Sequence, residues 1–353
     1  MKVSGFFSVI ILTYLSYSVA SNLNQGVDPD YSAYLSGYGT RDDWEVGYRF
    51  TTHFLSNLGV DYAGYRLIFY FLSYLAIFYG CLRYTKNVSF FFLMYSISLF
   101  FINVEQTRYF FMMAFVFLGY SFFTKKTKMN YFIGTLFVLL GSSMHSSGYL
   151  FLPLVPLTLL SLKTLKKLTP PFFIGSVLFA VIAYSKPGIL KNLLESFGGN
   201  DMRLEYYEAS DLSGTVFLLT IFASLLTLIT TYYILRNSNK FSYNMRNTIR
   251  VVLPVIYFGF FSISFFSVSF IYLRYQRCTF LFFLVLICAL LSDKVIFNGI
   301  SVRTRAIAVV LVLGISIAIF LTCSYPYVYI QDNLFYIIQL EKPTSPGESP
   351  ILK

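Results

Sequence analysis

The chain has 353 residues, of which 56% are hydrophobic and 12% are charged, and its formal net charge is +11. Soluble globular domains carry roughly 25% charged residues, so this composition excludes an aqueous globular fold. The apolar runs are long and unbroken rather than short and alternating. This pattern excludes a transmembrane β-barrel and predicts a multi-pass helical membrane protein.

The predicted elements are apolar runs of about 20 residues, the length that crosses a hydrocarbon core. About eleven transmembrane helices are predicted, at residues 3–20, 64–82, 88–102, 107–123, 131–144, 148–162, 168–185, 214–235, 251–272, 278–292 and 306–324. They form one all-α polytopic domain over residues 1–324, with outer loops at 21–63 and 186–213. Residues 325–353 contain several prolines and are predicted to form a partly flexible extracytoplasmic tail.

The positions of the basic residues predict the orientation of these spans. Placing the N terminus in the cytoplasm puts 16 of the 27 Lys and Arg residues inside, with Asp293 as the only acid there. Lys and Arg in short loops orient membrane proteins, so the N terminus is predicted inside and the C terminus outside. This bias accounts for the positive net charge, and no nucleic acid partner is predicted. Because the sequence lacks a Walker-type Gly-Lys-Ser/Thr motif, ATP is not predicted as the energy source.

Polar residues interrupt the apolar sequence at three predicted outer turns. The first string is Asn103-Val104-Glu105-Gln106-Thr107-Arg108, the second is His145-Ser146-Ser147, and the third is Arg274-Tyr275-Gln276-Arg277. Charged and polar groups at membrane depth are costly and therefore indicate a functional site. The alternation of spans places all three strings on the outer side.

Arg108 is predicted to open the fourth helix at its outer end. Arginine donates paired hydrogen bonds to phosphate, and a helix N-terminus adds backbone N–H donors for an anion. Arg108, Arg274 and Arg277 could therefore clamp a diphosphate; the alternatives are ordinary interfacial charge or, for Arg108, a pair with Glu105. His145 could act as a general base or could be a satisfied hydrogen-bonding residue.

The first outer loop contains several carboxylates, namely Asp28, Asp30, Asp42, Asp43 and Glu45. Paired carboxylates can hold a divalent cation or act as a base, but they can also be solvated loop acids. The four cysteines form no CxxC pair, so neither a zinc site nor a disulfide framework is predicted. No metal and no cofactor are predicted.

Short motifs follow one another in the order found in a known family. They are Asp30-Tyr31-x-x-Tyr34, Glu45-x-Gly47-Tyr48, Arg108-Tyr109-Phe110-Phe111-Met112-Met113-Ala114 and His145-Ser146-Ser147, with Arg274 following late in the chain. Over roughly residues 25 to 290 the chain resembles the EpsG-type branch of the Wzy polysaccharide polymerases. The family often has Gln directly after the helix arginine, where this chain has Tyr109. Gln106, on the other side of Arg108, could compensate.

The resemblance implies a glycosyltransferase that joins undecaprenyl-diphosphate-linked oligosaccharide repeat units on the outer face of the bacterial plasma (inner) membrane. The product would be O-antigen, capsule or exopolysaccharide. Arg108 would hold the lipid diphosphate, and His145, Glu105 or Asp30 would act as the base. Substrate contacts are expected from Arg274, Arg277, Gln106, Tyr31, Tyr34 and Glu45. Besides the lipid-linked oligosaccharides and membrane lipids, a chain-length regulator and a flippase are expected as partners.

Three other functions share this membrane topology. A polyprenyl-phosphate-sugar-dependent glycosyltransferase would use the carboxylates of the first outer loop. A membrane O-acyltransferase would use His145. A flippase for lipid-linked oligosaccharides would show an even and internally repeated set of helices, and the sequence has no convincing internal repeat.

Overall fold

The computed structural model describes residues 2–22, 29–188, 190, 192, 214–268, 272–293, 313–319 and 321. These residues form helices and short connections with no strand among them, which confirms the predicted all-α class. In chain order the main α-helices are α1 (Lys2–Asn22), α2 (Pro29–Ser36), α3 (Val46–Asn57), α4 (Tyr62–Tyr84), α5 (Val88–Ser98), α6 (Phe100–Glu105), α7 (Thr107–Phe122), α8 (Lys128–Met144), α9 (Leu162–Ser185), α10 (Gly214–Arg236), α11 (Tyr243–Ser262) and α12 (Leu273–Ser292). Short 3-10 helices occur at Ser146–Leu154, Pro156–Leu159, Ser238–Lys240 and Ile263–Ser267.

Several of these helices have the length and hydropathy of membrane-spanning helices. Within the described ranges, five are long and apolar enough to cross it: Tyr62–Tyr84, Leu162–Ser185, Leu218–Arg236, Tyr243–Ser267 and Leu273–Ser292. Shorter apolar helices occur at Val3–Val19, Val88–Ser98 and Ser146–Leu159. The chain is therefore a multi-pass membrane protein, whereas the count of about eleven spans and the orientation of the termini stay predictions. The tail 325–353, most of the loop 186–213 and most of the span 306–324 lie outside the described residues.

The start and the end of α8 lie at two different ends of the bundle. At one end Arg83 donates a hydrogen bond to Asn130 Oδ1 over 3.1 Å. At the other end His145 contacts Arg274. The second end contains the segments predicted to lie outside, and we call it the outer end.

The segment predicted as a transmembrane helix at 148–162 is not an α-helix. Residues 146–154 and 156–159 form 3-10 helices, with Pro153 and Pro156 among them. In an α-helix the proline ring clashes with the carbonyl group four residues earlier, which disfavours that geometry here. A 3-10 helix rises about 2.0 Å per residue, so these residues extend about 28 Å, close to the thickness of the hydrocarbon core. The segment begins after His145 at the outer end, and the carbonyl oxygen of Leu159 accepts a hydrogen bond from Lys126 at the opposite end.

Helix α7 lies at the centre of the bundle and is buried along almost its whole length. Glycines bring it close to α8: a Cβ on Gly119 would lie 2.6 Å from the Gly134 carbonyl oxygen, and a Cβ on Gly141 would lie 2.8 Å from the Met112 carbonyl oxygen. Small residues allow such close approach between membrane helices. The pairing places the start of α7, with its arginine, beside the end of α8, where the predicted histidine lies.

At the outer end the structure adds a detail to one prediction and differs from two others. The loop predicted at 21–63 contains helices α2 and α3. The span predicted at 88–102 is interrupted at Leu99, between α5 and α6. Arg274 and Arg277, predicted in a turn, belong to the first two turns of α12. Residues three apart lie on the same side of a helix, so the two guanidinium groups are presented together.

Candidate functional site

Arg108 is held by one carboxylate and three aromatic rings. Its Nη1 lies 2.6 Å from Oε2 of Glu45, and the two side chains are only 15% and 18% exposed. Its Cζ lies 4.9, 5.2 and 5.5 Å from the ring centroids of Tyr34, Tyr48 and Trp44. Aromatic faces attract a guanidinium group, so the rings add to the ion pair. We call Tyr34, Trp44 and Tyr48 the aromatic box.

The start of α3 positions Glu45. The residue directly precedes this helix, and its Oε1 accepts a hydrogen bond from the backbone N–H of Ser146 over 3.2 Å. Gly47 lets α3 approach α8, because a Cβ there would lie 2.9 Å from both the Cβ and the carbonyl oxygen of Ser143. The motif Glu45-x-Gly47-Tyr48 therefore joins the first outer loop to the end of α8.

The rings of the aromatic box are buried in the protein and are not exposed at its surface. Tyr34, Trp44 and Tyr48 are 7%, 6% and 0% exposed, and the rings of Trp44 and Tyr48 meet edge to face at 4.9 Å. Burial raises the pKa of the Tyr48 hydroxyl, which therefore stays protonated. Tyr34 packs against Arg108, and its expected contact with substrate stays a prediction.

A second group, the basic cluster, consists of His145, Arg274 and Arg277. Nε2 of His145 lies 3.1 Å from Nη1 of Arg274, and Nη1 of Arg277 donates to Oε1 of Gln106 over 2.8 Å. The ring of Tyr109 lies edge to face with His145, with centroids 5.6 Å apart. The same ring is 5.9 and 6.0 Å from Cζ of Arg274 and Arg277. The basic cluster thus joins the start of α7, the end of α8 and the start of α12.

The basic cluster presents more hydrogen-bond donors than acceptors around His145. Its Nδ1 faces the backbone N–H of Ser147 at 3.2 Å, and its Nε2 faces the guanidinium of Arg274. A neutral imidazole has one acceptor nitrogen, so it cannot accept hydrogen bonds from both. When Nδ1 accepts from Ser147, Nε2 carries the proton and becomes a second donor beside Arg274. Two adjacent donors of this kind suit an anionic ligand.

The charge of Arg274 is not neutralised by a carboxylate in the described part of the chain. Its Nε is buried and has no hydrogen-bond partner there. A buried charge without a counter-ion is costly. The half-buried guanidinium of Arg274 therefore has surroundings that favour an added anion.

Gln106 and Tyr109 support the basic cluster from the start of α7. Gln106 lies at the break between α6 and α7, and there its amide oxygen meets Arg277. The hydroxyl of Tyr109 donates to the carbonyl oxygen of Arg274. The position where the family often has Gln is thus occupied by a ring that packs within the cluster.

Some residues predicted from the sequence lie elsewhere or outside the described side chains. Asn103 is fully buried and donates a hydrogen bond to the hydroxyl of Tyr95 over 2.8 Å. This hydrogen bond lies inside the helix bundle and belongs to its core. Asp30 and Tyr31 belong to α2 and Glu105 ends α6. The side chains of Asp30, Tyr31 and Glu105 are outside the part of the chain that the structure describes, and their roles stay predictions.

The other acids of the first outer loop are exposed. Asp43 pairs with Arg41 at 2.6 Å, and Asp42 lies 3.7 Å from Nε2 of His53; the two carboxylates are 54% and 80% exposed. Among the described residues, no group of three or more His, Cys, Asp or Glu could hold a metal ion. Asp28 lies outside these residues. The contacts of Asp42 and Asp43 are those of solvated loop acids.

Trp44, Tyr48 and Tyr109 were not predicted as site residues. Aromatic residues make up 20% of the chain, so a single ring carries little information. The signal that could have found them is their position next to charged residues, since Trp44 directly precedes Glu45 and Tyr48 directly precedes Arg49. Tyr109 directly follows Arg108.

The family model of the EpsG family matches residues 7–335 of this chain. The match contains the whole aromatic box and the whole basic cluster, and it confirms the resemblance carried by the short motifs. No curated protein and no solved structure matches the chain.

Proposed function

Because the chain belongs to the EpsG family, a family of Wzy-like polysaccharide polymerases, we propose that it polymerises lipid-linked oligosaccharide repeat units on the outer face of the bacterial plasma membrane. The growing chain on undecaprenyl diphosphate is transferred to the non-reducing end of an incoming lipid-linked unit. The product is O-antigen, capsule or exopolysaccharide. The observation that carries this proposal is the basic cluster, which offers converging N–H donors at the outer end.

The proposed reaction takes its energy from the diphosphate ester. The acceptor hydroxyl attacks the anomeric carbon of the donor sugar and forms the new glycosidic C–O bond. The bond between that carbon and the diphosphate oxygen breaks, and negative charge grows on the leaving diphosphate. Donors already directed at that oxygen stabilise the transition state.

Arg274 and Arg277 are proposed as the ligands of the leaving diphosphate. They lie one turn apart at the N-terminus of α12, where free backbone N–H groups also attract an anion. Arg274 has a histidine as its partner rather than a carboxylate in the described residues. A phosphate oxygen between Arg274 and His145 would accept from both.

His145 has two possible roles, which depend on its tautomer. With the proton on Nε2, it donates a hydrogen bond to the diphosphate. With the proton on Nδ1, Nε2 can take the proton of the acceptor hydroxyl. The contact between Nδ1 and the Ser147 N–H favours the donor role, and the hydroxyl proton would then pass to a carboxylate such as Glu45, Glu105 or Asp30.

Arg108 is proposed first as a positioning residue, because its charge is already paired with Glu45. It holds the first outer loop against the starts and ends of the helices that carry the basic cluster. Direct contact between Arg108 and the diphosphate requires the substrate to displace Glu45. This displacement would also free the Glu45 carboxylate to accept the proton of the sugar hydroxyl.

The proposal is tested by the length of the surface glycan after the protein is deleted from its native cell. Deletion should leave single repeat units in place of polymer, and the wild-type chain supplied in trans should restore the ladder of lengths. A full ladder in the deletion strain would contradict the proposal. Unchanged glycan length with loss of acetyl groups would indicate an O-acyltransferase instead.

A further inference from the structure

Helix α3 carries an exposed apolar stripe. Val46, Phe50 and Phe54 are 69%, 67% and 53% exposed, and Leu58, directly after the helix, is 63% exposed. The four-residue spacing places these side chains on one side of the helix. The rings of Phe50 and Phe54 stack with centroids 6.1 Å apart and an interplanar angle of 9°. The two rings therefore lie side by side on the exposed side of the helix.

The remaining sides of α3 carry buried residues on one side and polar residues on another. Tyr48 and Thr52 are fully buried against the protein. Arg49 and His53 lie between the buried side and the stripe, on the polar edge of the helix. A helix with a protein side, an apolar side and a polar edge is typical of one that lies in a membrane interface.

The stripe lies beside a predicted span that exposes apolar side chains of its own. Gly47 brings the start of α3 into contact with Ser143 near the end of α8. One to two turns before this contact, Leu136, Leu139 and Leu140 of α8 are 49%, 41% and 40% exposed. Apolar side chains exposed on a membrane helix face hydrocarbon, so the same lipid phase reaches the stripe of α3.

We propose that α3 lies in the outer leaflet, at the boundary between lipid headgroups and acyl chains, with its apolar stripe among phospholipid chains. A partner protein or a second copy of this chain would need its own apolar surface at the same depth. The position beside α8 favours lipid as the occupant. Since Glu45 directly precedes α3, the inserted helix also fixes the depth of the Glu45–Arg108 contact at the membrane interface.

Tryptophan fluorescence tests this insertion directly. Trp44 is the only native tryptophan and is 6% exposed. The emission of an added tryptophan is therefore obtained by subtracting the emission of the wild-type protein from that of the variant. The probes are Phe50→Trp and Phe54→Trp, each in phosphatidylcholine nanodiscs brominated high on the acyl chains, with iodide as the aqueous quencher. Asp42→Trp is the matched control, because that carboxylate in the same loop is 80% exposed. No sugar substrate is needed, so the result is independent of the proposed polymerase activity.

The two phenylalanine positions should lose about half or more of the added emission in brominated lipid, because an interfacial helix buries its apolar side by about 5–10 Å. Iodide should quench them less than it quenches the tryptophan at position 42. Quenching of both probes by iodide and by no brominated lipid would overturn the proposal. Protection of both probes from both quenchers would also overturn it, since that result indicates a protein partner or a second copy on the stripe.

Discussion

The guanidinium of Arg108 and the carboxylate of Glu45 lie 2.6 Å apart although 63 positions separate them in the chain. The contact joins the first outer loop to the central helix α7. The same carboxylate reaches the N–H of Ser146, next to His145. The pair therefore links the aromatic box to the basic cluster.

The Arg108–Glu45 pair should behave as one unit in mutants. Arg108→Ala should abolish polymer while leaving the protein in the membrane, and Glu45→Ala should also reduce it strongly. Because polymer is already lost in Arg108→Ala, adding Glu45→Ala should cause no further change. The measurement is polymer length and yield at equal protein levels. A full ladder of lengths in either single variant would refute this role.

Arg274 and Arg277 should be needed for release of the diphosphate. Replacing either by Ala should slow polymerisation by about a hundredfold or more, the usual effect of removing a donor that stabilises developing charge. Replacement by Lys should recover part of the rate, because the charge remains but the paired hydrogen bonds do not. The matched control is Arg246→Ala, since Arg246 is exposed near the start of α11, away from the basic cluster. Equal rates in Arg274→Ala and Arg246→Ala would rule out the assignment.

Two substitutions of His145 separate its possible roles. His145→Gln keeps an N–H donor near the position of Nε2 but cannot act as a base, whereas His145→Ala removes both properties. If the histidine donates to the diphosphate, the Gln variant should be at least about tenfold more active than the Ala variant. Initial rates with lipid-linked substrate give the comparison. Equal inactivity of the two variants would instead make His145 the base.

Gly47 should be needed for the approach of α3 to α8. Gly47→Ala places a Cβ 2.9 Å from the Cβ of Ser143, so the helices must separate and Glu45 should lose its contact with Ser146. Overpacking of this kind costs about 1–3 kcal/mol, which should lower both the unfolding temperature and the polymer yield. Gly175→Ala is the control, because no atom lies within 4 Å of its added Cβ. Equal unfolding temperatures for the two variants would contradict this explanation.

The sequence predicts those parts of the fold that depend on local pattern. Long apolar runs predict the all-helical membrane class, and Arg108 lies where expected, in the first turn of a helix. The segment predicted as a transmembrane α-helix at 148–162 instead lies mostly in the 3-10 helices that end at Leu159, although Pro153 and Pro156 offered a signal. A hydropathy pattern reports how apolar a segment is and not which helical hydrogen bonds it forms.

The side-chain contacts between site residues could not be predicted from local sequence pattern. Three predicted arginines are in the site, but the sequence does not reveal that Arg108 meets Glu45 while Arg274 meets His145. These pairings depend on the close packing of α7 and α8 and on the position where α12 begins. Long-range packing of this kind leaves no periodic signal in one sequence.

The proposed polymerase activity is measured most directly with the purified protein in nanodiscs and an undecaprenyl-diphosphate-linked repeat unit as the only substrate. Released undecaprenyl diphosphate and product length are measured together. We expect a ladder of products with one diphosphate released for each new linkage, and neither product from the Arg274→Ala/Arg277→Ala variant. Single repeat units that stay fully lipid-linked in the presence of the folded wild-type protein would contradict it.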